Sequence, residues 1–130
     1  MDVVDNTVLI DCWAGQSEFA ERSIELLSSQ EKWFAPDLWR YEFGNVINKL
    51  ARLGHISEDL KYMAWNATLE IIETIHQVDV LAVDEVAIES GLKFYDASYV
   101  WLAREVDGLL YTRDAQILSS CPDVARGLAI

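Results

Sequence analysis

The sequence predicts an α/β domain built on a largely parallel sheet with helices on both faces. Two observations carry that expectation. Short apolar segments alternate along the chain with longer amphipathic ones, and the apolar segments are hydrophobic throughout rather than at every second residue, as in strands covered on both sides. Composition agrees: of 130 residues, 52% are hydrophobic and 25% charged, with only two Pro and six Gly, the balance of a globular chain. One domain over residues 1–130 is expected, long enough to bury a core without staples.

The elements follow in order. "DVVD" is a short β-rich run ending at Asp5, and "NTVLIDCW" after it can begin a helix or turn. Residues 16–30 set Phe19, Ile24, Leu26 and Leu27 among charges, which predicts an amphipathic helix. "WFAP" is a second strand; Pro36 marks its boundary, and Asp37 is placed to cap a helix that runs to Leu53. Ser57 precedes a long helical segment over 58–75, and "VDVLAV" has the β-branched character of a buried strand. Asp84 opens another helix, Asp96 opens "ASYVWLAREV", and Gly108 turns the chain into the strand "LLYT". Asp114 starts a last short helix before the strand-like "GLAI".

Charge and cysteine usage narrow the function classes. The stretch "MDVVDNTVLIDCW" carries acids and no Lys or Arg, unlike a secretory signal. No apolar run reaches the ~18–20 residues of a membrane span. Cys12 and Cys121 are isolated, which suits reduced thiols better than a disulfide framework or a zinc site. A cytoplasmic protein is expected. Net charge is −12, from 22 acids against 10 Lys plus Arg, so a broad basic face for nucleic acid is excluded. Nucleic-acid chemistry would need metal ions or a local basic rim, and the same acidity favours a basic protein partner.

In a parallel sheet, ligands gather outside the carboxyl ends of the strands. Asp5 ends its strand and Asp114 lies two residues beyond "LLYT", so both belong at that edge; Asp96 reaches it if its helix N-terminus does. On the helix over 37–53, Leu38, Val46, Leu50 and Leu53 form an apolar arc with Glu42 inside it and Asn45 at its edge. A core-facing carboxylate is costly unless paired, protonated or bound to a metal. Taken alone, each Asp is equally a helix cap or a solvated strand end, and Glu42 equally a salt-bridge or groove residue. Taken together, two like charges ~4 Å apart repel by about 4 kcal/mol at an effective dielectric of 20, so such a cluster shares protons or holds a cation. Oxygen donors without His or Cys match Mg²⁺ or Mn²⁺, and the matching reaction is metal-assisted phosphodiester hydrolysis.

These residues resemble the PIN-domain family, and within it the VapC-like toxin ribonucleases of type II toxin–antitoxin systems. "VVDNTVLI" is similar to the family's opening strand with its first acid, and "PDLWRYEFGNVI" to its P-x-L-x-x-E-x-x-N helix. "YDASYVWLAREV" is similar to its third acidic motif and "LLYTRDAQIL" to its T-x-D motif. The resemblance implies a three-layer α/β/α sandwich, a cluster of Asp5, Glu42, Asp96 and Asp114 that binds Mg²⁺ or Mn²⁺, and RNA cleavage by metal-activated water. It makes Asn6, Thr7, Asn45 and Thr112 supporting polar residues, and implies a cognate antitoxin and commonly a homodimer. Asp84 and Asp11 match no acidic motif position and stay a helix cap and a surface acid; Arg113, inside T-R-D, is expected to be exposed. His55 and His76 lack metal spacing, and the five Trp are expected in the core or an interface. The rival reading is a degenerate, inactive module of the same fold that binds a basic partner. A phosphate-accepting receiver domain fits less well, because "DVVDNT" lacks adjacent paired acids and no Lys follows "LLYT".

Overall fold

A computed structural model describes residues 1–14 and 17–128. Five strands form one sheet in the order β3-β2-β1-β4-β5, and every neighbouring pair is parallel. They are β1 (Val3–Val4), β2 (Trp33–Pro36), β3 (Ile72–Ile75), β4 (Leu110–Tyr111) and β5 (Ala125–Arg126). Among the described residues seven helices, α1 (Asn6–Ala14), α2 (Ser17–Ser28), α3 (Trp39–Arg52), α4 (Glu58–Ile71), α5 (Val80–Ser90), α6 (Phe94–Glu105) and α7 (Ala115–Ser120), cover the sheet and complete the α/β/α sandwich.

The central position of β1 organises the rest. From β1 the chain builds outward to β2 and β3, then returns to lay β4 against the other side of β1, so the topological switch lies between β1 and β4. Val3 and Val4 pair with Leu110 and Tyr111, and Val3, Val4 and Leu110 are wholly buried. Asp2 fixes the entry to β1: Oδ1 accepts from Leu109 N at 2.8 Å and Oδ2 from Gln30 Nε2 at 2.6 Å. Against α3, Phe43 packs edge to face on Trp39 and Trp65 with ring centroids 5.9 and 5.0 Å away, and Trp39 and Trp65 meet at a tilt at 6.2 Å. Trp33 and Trp39 are fully buried, whereas Trp13, Trp65 and Trp101 are half-buried.

Several sequence expectations need correction. "VDVLAV" is not a strand: Asp79 caps α5 by accepting from Ala82 N at 3.1 Å, and Gly91 closes it in the left-handed conformation at φ 73°. A short apolar run does not distinguish strand from buried helix, and here the caps decided. The third strand is instead "IETI", the tail of the segment expected to be helical to residue 75; it pairs with β2 from Trp33↔Ile72 to Pro36↔Ile75. Asp84 is therefore an exposed mid-helix residue and not a cap. Asp37 does not cap α3 either, since Leu38 occupies the N-cap with no side-chain hydrogen bond. The buried face of α3 is Trp39, Phe43 and Ile47, while Leu53 of the expected arc is 58% exposed. Of "GLAI", Gly127 and Leu128 follow β5 and the last two residues lie outside the described ones, as does Gln16 before α2. No helix among the described residues is long and apolar enough to cross a membrane.

Gly108 yields a direct test of the β1–β4 approach. A Cβ there would lie 2.1 Å from the Met1 carbonyl oxygen, a backbone atom that cannot rotate away. Gly108→Ala is expected to destabilise the fold by about 1–3 kcal/mol, measured by urea denaturation.

Candidate active site

The switch between β1 and β4 places Asp5 and the Thr112-Arg113-Asp114 turn side by side at the carboxyl edge. Asp5 is 5% exposed. Its Oδ1 accepts from Thr7 N at 3.1 Å and Thr7 Oγ1 at 2.5 Å, and its Oδ2 accepts from Thr112 Oγ1 at 2.5 Å. The network continues outward: Thr112 Oγ1 accepts from Asp114 N at 3.0 Å, and Thr7 Oγ1 accepts from Arg113 N at 3.1 Å. Thr7 and Thr112 thus hold Asp5 and the turn that carries Asp114 in one piece. Asp114 caps α7, its Oδ1 accepting from Ile117 N at 3.0 Å.

Glu42 and Asp96 close the other side. Glu42, half-buried in the first turn of α3, accepts from Tyr99 Oη at 2.6 Å. Asp96 is not an N-cap: that position is Lys93, and Asp96 sits in the first turn of α6, where the helix dipole favours a negative charge. Tyr99, one turn beyond Asp96 on the same helix face, was missed by motif reasoning, because an apolar aromatic in a buried helix carries no signal of its own. Asn6 supplies a buried Oδ1 that has no partner among the described residues. Asn45 makes no hydrogen bond to the acids; it stands exposed, sharing the wall of a surface depression with Glu42.

Glu42 and Asp96 each feel a neighbouring acid, whereas Asp5 is shifted upward by burial. Burial pushes the Asp5 carboxyl up to about 6 against the pull of its hydroxyl and amide donors. Burial raises Glu42, which Asp96 raises further while Tyr99 works against it. Burial also raises Asp96, assisted by the charge on Asp114 and opposed by Lys93. The Tyr99 hydroxyl is held well above its usual value by burial and by the charges of Glu42, Asp5 and Asp96. Among the described residues, no Lys, Arg or His forms an ion pair with any of the four.

This donor set fits a hard divalent cation. No three His, Cys, Asp or Glu among the described residues stand close enough to enclose an ion by themselves. Mg²⁺ does not require that, because it keeps several waters and commonly takes only one or two carboxylates together with substrate phosphate. A hydrogen-bonded, buried carboxylate held only by neutral donors, without an ion-pair partner among the described residues, is the electrostatic complement of such an ion.

Asp11 differs from expectation: it is not a surface acid but is 8% exposed. Arg113 is exposed, as expected, yet it is also pinned: its Nε lies 2.6 Å from Asp11 Oδ2 and its guanidinium 3.7 Å from the Phe19 ring centroid. Burial still outweighs the pull of Arg113 and leaves Asp11 above its usual value. The T-R-D turn is therefore clamped to α1 and α2 by a salt bridge and a cation–π contact.

Fold and site together define a parallel α/β domain with the buried Asp5 carboxylate and the turn to Asp114 joined at its topological switch. The chain belongs to the PIN domain family, whose model matches residues 3–120. It is 34% identical over 114 residues to ribonuclease VapC3 of Pyrobaculum aerophilum, covering 82% of each chain. It is 32% identical over 93 residues to exonuclease VapC9 of the same organism, covering 72% of this chain and 70% of that one. Among solved structures, Pyrobaculum aerophilum PAE2754 is similar at TM-score 0.76 and 28% identity, over 98% of this chain and 92% of the other. A toxin–antitoxin complex from Klebsiella pneumoniae shares the fold at TM-score 0.70 and 16% identity, over 97% and 96% of the two chains.

Two outcomes follow from the electrostatics. With its carboxyl at about 6 rather than 3.8, Asp5 binds more protons folded than unfolded between those values. Ion-free stability therefore falls as pH rises through that window, by up to about 3 kcal/mol from this group. Thermal melting in EDTA is expected to show a higher midpoint at pH 5 than at pH 7, with the difference reduced in Asp5→Asn. Separately, Arg113→Met is expected to cost about 2 kcal/mol by leaving Asp11 unpaired. The Asp11→Asn/Arg113→Met double variant should lose less than the sum of the singles in urea titrations.

Proposed function

We propose that the protein is a Mg²⁺- or Mn²⁺-dependent ribonuclease that hydrolyses RNA phosphodiester bonds, acting as the toxin of a toxin–antitoxin pair. The observation that carries this reading is the buried Asp5, held by Thr7 and Thr112 on the turn that leads to Asp114, with Asp96 raising Glu42, Asp114 raising Asp96, and no ion-pair partner for any of the four among the described residues. Membership of the PIN domain family and likeness to relatives named as a ribonuclease and an exonuclease support the chemistry. In this reading the four acids hold the ion. Once bound, it supplies positive charge opposite the phosphate oxygens and a more acidic water as nucleophile.

The remaining work belongs to the chain. Thr7 and Thr112 orient Asp5 through three hydrogen bonds, so its oxygens keep one geometry as charge builds nearby. Tyr99 donates to Glu42 and fixes that carboxylate. Thr112 also holds the Asp114 backbone, and Arg113 with Asp11 keeps the turn docked. Asn6 and Asn45 are supporting residues in the same reading, Asn6 through its unpartnered oxygen and Asn45 on the groove beside Glu42. Cytoplasmic residence, a cognate antitoxin that presents basic side chains to the acidic cleft, and a homodimer complete the proposal. The Klebsiella pneumoniae complex, similar in fold, is described as a toxin–antitoxin assembly.

The test is metal-dependent cleavage of an RNA substrate by the protein and by Asp5→Asn and Asp96→Asn. Each substitution is expected to lower the rate by about 10²–10³-fold, on the order of several kcal/mol of lost charge stabilisation, without loss of secondary structure by circular dichroism. Undiminished cleavage in both variants would overturn the mechanism. Absence of calorimetric binding of Mg²⁺ or Mn²⁺ at millimolar concentration would favour the inactive module that binds a basic partner.

A further inference from the structure

The acid cluster opens onto a groove that its own chemistry does not explain. In a chain of net charge −12, α3 carries Arg40, Lys49 and Arg52 against the single acid Glu42. Among the described residues it is the only helix whose basic side chains outnumber its acidic ones. Its outer face is a stripe: Tyr41, Asn45, Asn48 and Arg52 recur at helical spacing and all are exposed, on the side away from buried Trp39, Phe43 and Ile47.

Tyr41, Asn45 and Asn48 of the stripe form one wall of two adjoining hollows, and Arg52 lies one turn beyond them on the same exposed face. Tyr41 and Tyr95 are 76% and 62% exposed, and with Glu42 and Asn45 they line a hollow of about 550 Å³. Tyr41 and Asn45 are shared with an adjoining hollow of about 500 Å³ that is also lined by Arg40, Asn48 and Trp65. The groove therefore starts at a site acid and runs along α3. Gly44 lets Trp65 approach the helix backbone, since a Cβ on residue 44 would lie 2.9 Å from Trp65 Cζ2. The Arg40 guanidinium sits 5.8 Å from the Tyr41 ring centroid.

This lining selects an occupant. Exposed aromatic faces stack bases, amide side chains offer both donors and acceptors to base edges, and isolated cations meet phosphates: together these are the parts of a single-strand binding groove. A basic protein segment would meet Arg40 and Arg52 as like charges. A second copy of the chain would need a larger apolar face than a stripe interrupted by Asn45 and Asn48 provides. From Glu42 to Arg52 the helix advances about 15 Å, which spans about four stacked nucleotides at ~3.4 Å each.

We propose that the α3 groove is the track for the single-stranded RNA segment next to the scissile phosphate, with Tyr41 and Tyr95 stacking bases and Arg40 and Arg52 meeting phosphates. The inference rests on reading the acidic cluster as a ribonuclease site, and its test separates the two. Binding of a 5′-fluorescein-labelled single-stranded RNA 12-mer is measured by anisotropy in EDTA, with the oligomer recovered intact, and cleavage is measured in parallel with Mg²⁺ or Mn²⁺. Tyr41→Ala is expected to weaken binding about tenfold and to raise KM. Arg52→Gln is expected to reduce the slope of log affinity against log salt by about 0.7 and to raise KM. Parent-like RNA affinity and KM in both variants, from an enzyme that still loses cleavage on Asp96→Asn, overturns the groove and leaves the site reading standing. A Tyr41→Ala variant that dissociates a dimer, or loses a basic peptide, without losing RNA also overturns it. Failure of the parent protein to bind or cleave any RNA removes both.

Discussion

Asp5 is a carboxylate buried at the centre of the sheet's carboxyl edge and held only by neutral donors, and the local architecture is arranged around that constraint. An ionised group in such a place loses much of its hydration, and three hydrogen bonds recover only part of it. The donors come from both sides of the switch, Thr7 from the start of α1 and Thr112 from the end of β4. They converge only while β1 and β4 keep the register Val3↔Leu110 and Val4↔Tyr111. A slip of one residue would turn Thr112 to the opposite face of the sheet and leave Asp5 without it. The registry of two two-residue strands is thus coupled to one side chain, and the buried Val3, Val4 and Leu110 reinforce it from below.

The same constraint makes the site electrostatically uncomfortable. Asp5, Glu42 and Asp96 are all pushed upward, first by burial, and Glu42 and Asp96 are pushed further by a neighbouring acid. Structure that served stability alone would place an Arg among them, and the chain has one at hand. Arg113 lies between Thr112 and Asp114, yet its Nε is taken by Asp11 and its guanidinium lies on Phe19. The clamp supports the turn mechanically while withholding its charge from the cluster. Strain of this kind persists where the surrounding structure over-determines it, and it leaves the carboxylates receptive to an external cation.

The sequence made the architecture legible where pattern and cap agreed. Apolar periodicity marks α2 and the Pro36 boundary marks β2, Ser57 does cap α4 by accepting from Leu60 N, and Asp114 does cap α7. It failed where two local signals competed. "VDVLAV" is β-branched enough for a strand, but Asp79 and Gly91 frame it as a helix, so the strand moved upstream to "IETI". The motif acids follow from strand ends and helix positions, and the structure sets Asp5, Glu42 and Asp96 around Tyr99, and Asp114 beside Asp96. The groups that tune the site were illegible, because Tyr99 and Asp11 act through partners 57 and 102 residues away. No local window encodes a hydrogen bond of that separation.

The overall charge and the proposed substrate are reconciled by scale. A polyanion approaching a chain of charge −12 meets a repulsive field at long range, but at physiological salt that field is screened within about 8 Å. Inside that distance the relevant charges are those on α3, where Arg40, Lys49 and Arg52 face outward with a single acid at the helix start. Affinity then depends on contacts available only to an unpaired strand, since a duplex hides the base faces that Tyr41 and Tyr95 would stack. A strongly acidic body with one narrow basic and aromatic track would hold single strands locally while rejecting duplex and nonspecific polyanions. In that arrangement the net charge contributes to selectivity, and the acids at the end of the track stay free for the ion.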